Sequence, residues 1–592
     1  MNHRSHRADH TDGNPGNRGR TGNASHTDPN NPTHPTHPIH PTAPTDPTAQ
    51  RRHHVPVLIV GGSLVGLSTS LFLGRLGVRH TLVERHSGTS IHPRGRGNNV
   101  RTMELFRAAG VEPMIRQAAA TLADNHGILQ TPTLVGDAGE WLFKEIDAGG
   151  GLARFSPSSW CLCSQNDLEP VLYEHAERLG GDLRYGTELM SFDSDSSGVT
   201  AVVKSRETGE HTTIGADYLV AADGPRSPVR EQLGIGQSGP GDLFHNVSVT
   251  FRSRGLAEVV GDRRFIVCYL TSPDADGALL PVDNRENWVF HAPWHPEHGE
   301  TLEEFTDERC AEHIRRAVGV ADLDVQITGR APWHAAQRVA RSYRSGRVFL
   351  AGDSAHEMSP TGAFGSNTGI QDAHNLAWKL AAVLGGWAGE GLLDTYDAER
   401  RPVAEATSAR AAARSVEHSH PGFAPPPVAG GGGGPQRGIL NVALGYRYPQ
   451  GAVIGADPAT PVVPERLDLS GEPGSRAPHV AVRHRGEPIS TLDLYERSLV
   501  LLSDAAEPSG WHEAALRLAE AMAVPLASYR VGTGPGAELM PEGDVDWAAA
   551  HGMTRGGAVL VRPDGFVAWR SSGAVPDAES ALRQVLITLL AG

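Results

Sequence analysis

The chain contains 592 residues and carries a formal net charge of −15, with a pI near 6.0. This length allows more than one hydrophobic core, so two or three domains are expected, and the acidic balance argues against nucleic acid or an anionic membrane surface as partner. The four cysteines form neither a CxxC pair nor a disulfide pattern, and no apolar run has membrane length, which together predict a cytoplasmic protein.

The first 54 residues are rich in Pro, Thr, Asn and His and include the run THPTHPIHP at Thr33–Pro41. They contain too few apolar side chains to offset the entropy of ordering, so residues 1–54 are predicted to form a disordered tail. The spaced histidines have no acids or cysteines in a fixed frame. We therefore interpret them as adventitious metal binders and predict no metal site.

The segment Val55–Gly77 has the pattern of a strand, a glycine turn and a helix. Val57–Val60 is an apolar strand, Gly61 and Gly62 turn the chain, and Leu64–Leu76 has the spacing of a helix packed on a sheet. A membrane span is the alternative for this apolar segment, but its short length and its internal glycines and serines argue against it.

A second strand, His80–Glu84, follows and ends in an acid, as in the dinucleotide-binding fingerprint. Ser63 stands where that fingerprint has its middle glycine, and Gly66 takes the third position. With this departure the motif alone is ambiguous.

Two later segments favour a nucleotide site. Asp217–Gly224 predicts a strand that closes on Asp-Gly, which alone would be an ordinary turn. Val348–Ala351 predicts a buried strand that leads to Asp353, then to the loop Pro360–Gly365 and a helix from about Thr368. Glycines let a backbone approach a ligand, and a helix N-terminus favours phosphate.

The central region predicts an antiparallel sheet, because the strands Phe244–Arg252, Arg264–Thr271 and Asn287–Pro293 have no helical crossover between them. A helix is predicted over Glu300–Val318. The candidate substrate-contacting side chains of this region, most of which core packing would also explain, are Trp288, His291, Trp294, Trp333 and His334.

Residues 421–476 are predicted to be a linker, beginning with the Pro/Gly-rich stretch Pro421–Gly438. A further domain is predicted from about Ala477. Its predicted elements are the strands Val500–Leu502 and Leu526–Val531, the hairpin Gly557–Trp569, and the helices Trp511–Ala523 and Glu579–Leu590.

The order of these motifs resembles that of the class A flavoprotein monooxygenases, the para-hydroxybenzoate hydroxylase-like aromatic hydroxylases. The resemblance covers roughly Val55–Val416. GGSLVGLSTSLFL, HPRGRGNNVRTMELFR and PTGAFGSNTGIQDAHNLAWKL resemble most the polyketide-tailoring branch, of the tetracenomycin A2 oxygenase type.

The resemblance implies an α/β fold: a Rossmann-like FAD-binding domain with an inserted antiparallel-sheet substrate domain and a C-terminal thioredoxin-like domain. The implied boundaries are 55–235 and 336–420 for the FAD-binding parts, 236–335 for the substrate domain, and 477–592 for the C-terminal domain. No cysteine follows Cys310, so thiol–disulfide exchange is excluded there.

The same resemblance implies which residues bind FAD. Glu84 would bind the adenosine ribose, Asp353 the ribityl chain, and Arg94 the pyrophosphate region. The other implied cofactor-binding residues are Gly61, Gly62, Ser63, Gly66, Arg85, Arg101, Gln165, Asp223, Pro360, Gly365, Ser366 and Asn367. Pro360 and Gly362 would present backbone beside the flavin ring, and His291 and His334 are candidate bases toward a phenol.

The implied activity is hydroxylation of a polycyclic aromatic polyketide through a flavin C4a-hydroperoxide, with FAD as cofactor and NADPH or NADH and O2 as co-substrates. The partner is a small molecule, and the protein is a monomer or homodimer. Three alternatives remain open: Baeyer–Villiger oxygenation of a ring ketone, a plain flavin oxidase or dehydrogenase, and a non-catalytic flavoprotein that binds a hydrophobic ligand.

Overall fold

The structure, a computed structural model, describes residues 53–136, 138–147, 149–417, 437–505, 509–534 and 536–591. The predicted disordered tail lies outside these residues, except for His53 and His54, which belong to the first strand. The described residues form one compact unit. No helix in the described part of the chain is long and apolar enough to cross a membrane.

The first sheet has a parallel core, as the apolar strands predict. Its strands, in sheet order, are β16 (Arg344–Ser345), β17 (Val348–Leu350), β10 (His211–Ala221), β1 (His53–Val60), β2 (His80–Glu84) and β7 (Asp182–Tyr185), with β9 (Val199–Ser205) and β8 (Thr187–Ser194) as an antiparallel extension from β10. The three strands that end in the nucleotide motifs are β1, β10 and β17, and they lie side by side. The motifs therefore meet at one edge of the sheet.

The second sheet is mostly antiparallel, as predicted for the central region. Its strands, in sheet order, are β18 (His356–Glu357), β15 (Gln326–Ala340), β11 (Gln237–Arg252), β14 (Asn287–Trp294), β13 (Gly277–Pro281), β12 (Phe265–Leu270), β4 (Gly127–Thr131) and β5 (Glu140–Phe143). Only β12 and β4 run parallel. A separate short pair joins β3 (Gly97–Asn98) and β6 (Cys161–Leu162).

The third sheet belongs to the C-terminal part of the chain. Its strands, in sheet order, are β20 (Glu487–Ser490), β19 (Ala481–His484), β23 (Leu539–Pro541), β22 (Leu526–Val531), β21 (Leu499–Asp504), β24 (Ala558–Val561) and β25 (Val567–Ser571). β21 and β22 are parallel, whereas β24 is antiparallel to both β21 and β25.

Thirteen α-helices lie in the described residues. They are α1 (Leu64–Arg75), α2 (Val100–Ala108), α3 (Glu112–Ala118), α4 (Gln165–Arg178), α5 (Pro228–Gln232), α6 (Gly255–Val260), α7 (Asp307–Val318), α8 (Phe364–Leu384), α9 (Thr395–Glu417), α10 (Arg437–Leu444), α11 (Trp511–Ala521), α12 (Trp547–Ala550) and α13 (Ala578–Ala591). Helix α1 packs between α4 and α8 beside the first sheet.

Side-chain alternation gives the second sheet two different faces. On one face, Trp288 and Phe290 pack with Ile314 of α7 in a closed apolar core. On the other face, Tyr269 and Leu280 belong to a separate, smaller apolar cluster. The first face stabilises the domain, and the second is available to form the wall of a cavity.

The predicted linker, residues 421–476, is wrong for its second half. Residues 437–476 begin with α10 and then pack against the rest of the chain, and Tyr446, Tyr448 and Arg476 are buried there. Tyr448 stacks obliquely on Phe566, with ring centroids 4.3 Å apart. These aromatic anchors join the segment to the C-terminal domain, so it is an integral part of the fold. Residues 421–436 lie outside the described residues.

Candidate active site

A cavity of about 1560 Å³ lies between the carboxyl edge of the first sheet and the open face of the second. It is larger than the ~300–1,000 Å³ of an ordinary ligand pocket. Fifteen of the predicted site residues line it: Gly61, Gly62, Ser63, Glu84, Arg85, Arg94, Gln165, Asp223, His291, His334, Asp353, Pro360, Gly362, Gly365 and Ser366. Segments as far apart in the chain as Gly61 and Ser366 therefore converge on one space.

Two glycines, one in the turn after β1 and one in the first turn of α1, have no room for a side chain. Gly61 has φ of +104°, and a Cβ there would lie 2.2 Å from the carbonyl oxygen of Ala222. Gly66 does not line the cavity; its Cβ would lie 1.8 Å from the Gly61 oxygen, so it permits α1 to approach the turn. This is the packing role of the third fingerprint glycine.

Ser63 replaces the middle glycine of the fingerprint and has a defined set of partners. Its hydroxyl donates to Oε1 of Glu169 at 2.5 Å, and Nε2 of Gln165 donates to Ser63 Oγ at 2.9 Å. The other Glu169 oxygen accepts from the Ser90 backbone N–H at 2.7 Å. Glu169 was not predicted, although its position four residues after Gln165 on α4 places both on one helix face.

Glu84 ends β2 at the cavity wall. Its Oε2 accepts from the Gly62 N–H at 2.7 Å, and its Oε1 accepts from the His86 N–H at 2.8 Å. The carboxylate thus fixes the glycine turn and faces the cavity at the same time. Arg85 and Arg94 are exposed residues on the same wall.

Asp353 follows β17, lines the cavity and is exposed to its open space. Desolvation by the surrounding protein raises the pKa of Asp353 above its ordinary value. The preceding turn is held from behind: Asp372 of α8 accepts from the Gly352 N–H at 3.2 Å and contacts His356 Nε2 at 2.7 Å.

Asp223, at the end of the β10 motif, also faces the cavity. Its Oδ2 accepts from the Val229 N–H at 3.2 Å, whereas its buried Oδ1 has no partner among the described residues. Burial raises the pKa of this carboxyl. A buried carboxylate oxygen without a partner is costly, so its position on the cavity wall indicates a hydrogen-bond donor on the ligand.

The loop Pro360–Ala363 and the first turn of α8 line the cavity. Ala363 has φ of +54°, a strained value that residues with a side chain adopt rarely, and such strain clusters at ligand sites. A Cβ on Gly365 would meet no atom within 4 Å, so open space lies above the first turn of the helix. Unpaired N–H groups of that turn face this space.

Asn367 is not among the lining residues, and its side chain binds other parts of the protein, so its contact with the cofactor stays a prediction. Its Oδ1 accepts from the Asn99 N–H at 2.9 Å, and its Nδ2 donates to the carbonyl oxygens of Gly97 and Ala363 at 2.7 and 2.5 Å. Asn367 therefore ties the loop to β3 and positions it.

Arg101 also lies outside the cavity wall, because two partners elsewhere bind its guanidinium. Nη1 pairs with Glu104 at 3.0 Å, and Nη2 donates to the Asp564 carbonyl oxygen at 2.5 Å. Arg101 thus connects α2 to the C-terminal domain, and its role as a cofactor-binding residue stays a prediction.

The aromatic candidates separate according to strand alternation. His291 and Trp333 line the cavity with ring centroids 5.1 Å apart, whereas Trp288 is buried on the opposite face and Trp294 donates to the Glu300 carbonyl oxygen. Hydrogen bonding to Glu357, at 3.3 Å, raises the pKa of His334.

These residues fit FAD. The cavity offers a glycine turn that a ligand can approach closely and a helix N-terminus beside open space, which suits phosphate. Its acids can accept hydrogen bonds from the hydroxyls of a ribose and a ribityl chain. An elongated cofactor of sugar, phosphate and flat ring requires this set of groups. Metal ligands cluster elsewhere: within the described residues, the sole group is His295, Glu297 and His298, which is largely exposed.

Comparison with known protein families agrees with this fit. Residues 54–411 match the model of an FAD binding domain, and residues 470–591 match that of the aromatic-ring hydroxylase C-terminal domain. The chain therefore belongs to the FAD-binding aromatic-ring hydroxylases and is an FAD-dependent aromatic monooxygenase.

The chain is similar both to known protein sequences and to solved structures. The chain is 74% identical to a putative polyketide hydroxylase of Streptomyces coelicolor and 42% identical to the tetracenomycin A2 monooxygenase-dioxygenase of Streptomyces glaucescens; each comparison covers 91% of this chain and 97% of the relative. A crystal structure of aklavinone-11 hydroxylase with FAD and aklavinone is 37% identical, with a TM-score of 0.83 over 91% of this chain and all of that one.

Proposed function

We propose that this protein hydroxylates a polycyclic aromatic polyketide, using FAD, NADPH or NADH, and O2, in the biosynthesis of an antibiotic-like compound. The relatives named above as polyketide and tetracenomycin oxygenases support the substrate class. Their similarity extends over nine-tenths of the chain, including the substrate domain.

The observation that carries the proposal is the continuity of the cavity. The cofactor cradle at the edge of the first sheet opens directly onto the apolar face of the second sheet. That face presents Tyr269, Leu280 and Trp333, which suit a flat, fused-ring molecule better than a small polar one. The volume accommodates such a molecule beside the flavin ring.

In this proposal Asp353 accepts a hydrogen bond from the ribityl chain and Glu84 from the adenosine ribose, with Gln165 and Asp223 as further polar contacts. When bound, FAD would be reduced by NAD(P)H and would then activate O2. The loop Pro360–Ala363 and the first turn of α8 present backbone groups to the ring and exclude water from it, which an oxygen-transfer site requires.

We also propose that the C-terminal domain has the predicted thioredoxin-like fold. The order β22-β21-β24-β25, with α11 between the parallel strands and α13 after the last strand, supports it. The C-terminal domain contains no cysteine, so a packing role fits this domain. The four cysteines of the chain are all buried and free, which fits a cytoplasmic location. A monomer or homodimer stays a prediction.

The decisive experiment incubates the purified yellow protein with NADPH, labelled dioxygen and a panel of tri- and tetracyclic phenols and quinones. Hydroxylation gives a product with one labelled oxygen on an aromatic carbon. Insertion of oxygen next to a ring ketone, identified by NMR, would replace the proposal by Baeyer–Villiger oxygenation. NADPH consumption that no panel member accelerates would contradict both.

A further inference from the structure

Arg96 is the unusual charged residue of the cavity. It is 6% exposed and lines the cavity wall. Its Nη1 donates to the carbonyl oxygen of Pro281, whereas Nε and Nη2 have no partner among the described residues. A buried guanidinium with most of its donors unpaired is energetically costly, so this position indicates a partner that enters the cavity.

Other buried arginines of the chain show the contrast. Arg400, Arg476 and Arg562 are at most 1% exposed, and each binds a carboxylate, at 2.7, 2.9 and 2.7 Å respectively. Arg230, which is 5% exposed, instead donates from both of its terminal nitrogens to backbone carbonyl oxygens. Arg96 differs from these four because both its Nε and its Nη2 lack a partner among the described residues.

The position of Arg96 identifies which end of the cavity it serves. Its backbone belongs to the segment beside the cofactor loop, since Gly95 lies close to Ser366 and Gly97 close to Ala363. Its guanidinium instead reaches the end of β13, a strand of the substrate sheet. The group thus lies where a ring on the sheet would meet the flavin.

The electrostatic surroundings agree with this location. Arg96 is near His92, and their proximity contributes to the lowered pKa of His92, of which burial is the main cause. His92 Nε2 lies 3.0 Å from the Ser248 hydroxyl, on the strand beside His291. Burial lowers the pKa of Arg96 to about 10, with Asp167 opposing, so the group is cationic at neutral pH.

We propose that Arg96 binds the ionised phenol oxygen of the substrate and stabilises the phenolate that oxygen transfer requires. This inference rests on the proposed function. On binding, the phenol O–H bond breaks, the electron pair stays on oxygen, and the proton leaves to solvent. The electron-rich ring is then the nucleophile toward the oxygen delivered at the flavin. Arg96 therefore selects phenols that carry the hydroxyl at the flavin-facing end.

The test uses 1,2-dihydroxyanthraquinone, whose visible absorption changes when its phenol ionises, bound to the oxidised FAD-loaded protein. In the wild type the pKa of the bound phenol is expected about 1–2 units below that of Arg96→Met, because an opposite charge nearby favours ionisation. Arg96→Lys should recover part of the shift. Arg96→Gln keeps donors without charge and serves if the Met variant does not fold.

Arg263→Met is the matched control. Arg263 is an arginine of the same domain that donates to carbonyl oxygens and lies away from the cavity wall. An Arg96→Met protein that ionises the ligand as the wild type does would overturn the inference. Loss of FAD from that variant, with the phenol pKa unchanged, would assign Arg96 to the cofactor instead.

The two proposals fail in different ways. If the wild type lowers the phenol pKa through Arg96 but transfers no oxygen to any panel member, the proposed function fails and the phenolate site stands. If the wild type hydroxylates and the pH profile of kcat/KM is the same in Arg96→Met, the function stands and the Arg96 inference fails.

Discussion

At the residue scale, the site depends on acids placed at the ends of neighbouring strands. Glu84 ends a strand of the first sheet, and Asp223 and Asp353 lie just beyond two others. All three acids line the same cavity, and the backbone around them is fixed by hydrogen bonds.

Asp353→Ala is expected to weaken FAD binding. A hydrogen bond to a charged group is worth about 1.5–3 kcal/mol, so the loss corresponds to about 10–100-fold in Kd. The flavin-to-protein absorbance ratio after dialysis, followed by FAD titration of the apoprotein, measures the effect. Asp193→Ala, an exposed acid of β8, is the control. Full occupancy in Asp353→Ala would show that the assignment of this acid is wrong.

Ser63 shows why a residue that departs from a motif can still belong to the site. Its hydroxyl joins Gln165 and Glu169 into one network next to the glycine turn. Ser63→Ala is expected to retain the turn but to loosen α4 against it, with FAD binding weakened by less than in Asp353→Ala. Parallel FAD titrations compare the two variants, and an equal or greater loss in Ser63→Ala would contradict this ranking.

At the scale of elements, α8 and α9 carry a buried charge network that extends into the turn between β24 and β25. Glu399 accepts from Lys379 at 2.8 Å and from Arg562 at 2.7 Å, and Arg562 also pairs with Asp564. Asn375 donates to both carboxylates. Helix α8, whose first turn lines the cavity, is therefore anchored at its middle by the C-terminal domain.

Asp564→Asn is expected to destabilise the protein. Removing one partner of a buried pair costs about 3–5 kcal/mol, and the lower end is expected because Arg562 retains Glu399. Thermal unfolding of the FAD-loaded protein measures the change. Glu174→Gln is the control, because Glu174 pairs with Arg178 on the exposed face of α4 and such pairs contribute little. Equal midpoints for the two variants would contradict the prediction.

The same carboxylate predicts a pH dependence. Burial raises the pKa of Asp564, but Arg562 more than compensates and lowers it to about 2. The pKa is thus lower in the folded than in the unfolded state, so the stabilisation is complete above the unfolded value and is lost as pH falls toward the folded one. The difference in melting midpoint between wild type and Asp564→Asn should therefore narrow from pH 5 to pH 3. A constant difference would contradict it.

At the scale of the whole molecule, the C-terminal domain shares a core with the FAD-binding part. Trp378 and Leu392 pack with Leu499, Trp511 and Leu586 in one apolar cluster. Charged residues add to this interface: Arg476 binds buried Glu104, and Arg75 binds Glu496 at 2.8 Å. The domain is therefore part of the folded unit rather than an appendage.

A chain that ends at residue 469 is expected to be largely insoluble. Truncation would expose this apolar cluster and would remove Arg476 from Glu104 and Arg562 from Glu399, and both effects are strongly unfavourable. The soluble fraction and the FAD content of the expressed protein measure the outcome. Deletion of residues 2–50, whose composition predicts disorder, is the control and should be neutral. A soluble, yellow 1–469 chain with a cooperative melt would show that the domain is dispensable.

Local patterns predicted the elements well because apolar periodicity and glycine turns act over a few residues. His80–Glu84 and Leu526–Val531 have the predicted bounds, and the alternation on β14 separates His291 from Trp288 as expected. The destination of Arg101 was not predictable in this way, because its partner Asp564 lies 463 residues away.

The tether from Asn367 to Gly97 and Asn99, and the Ser63–Glu169 bond, are long-range for the same reason. Which side chain a polar residue meets depends on how the sheets pack. A linear pattern of residue types carries that information only where a family resemblance supplies it, and the resemblance did not indicate the protein partners that Asn367 and Arg101 have in the structure.

The two-faced second sheet has a consequence for how such enzymes diversify. Side chains at 267, 269, 278 and 280 line the cavity and belong to an apolar cluster that is separate from the packed core of the domain. Exchanging them would change the shape of the chamber without changing the glycine turn and the acids at the edge of the first sheet. Substitutions on this one face of the second sheet could therefore change which ring systems the same fold accepts as substrates.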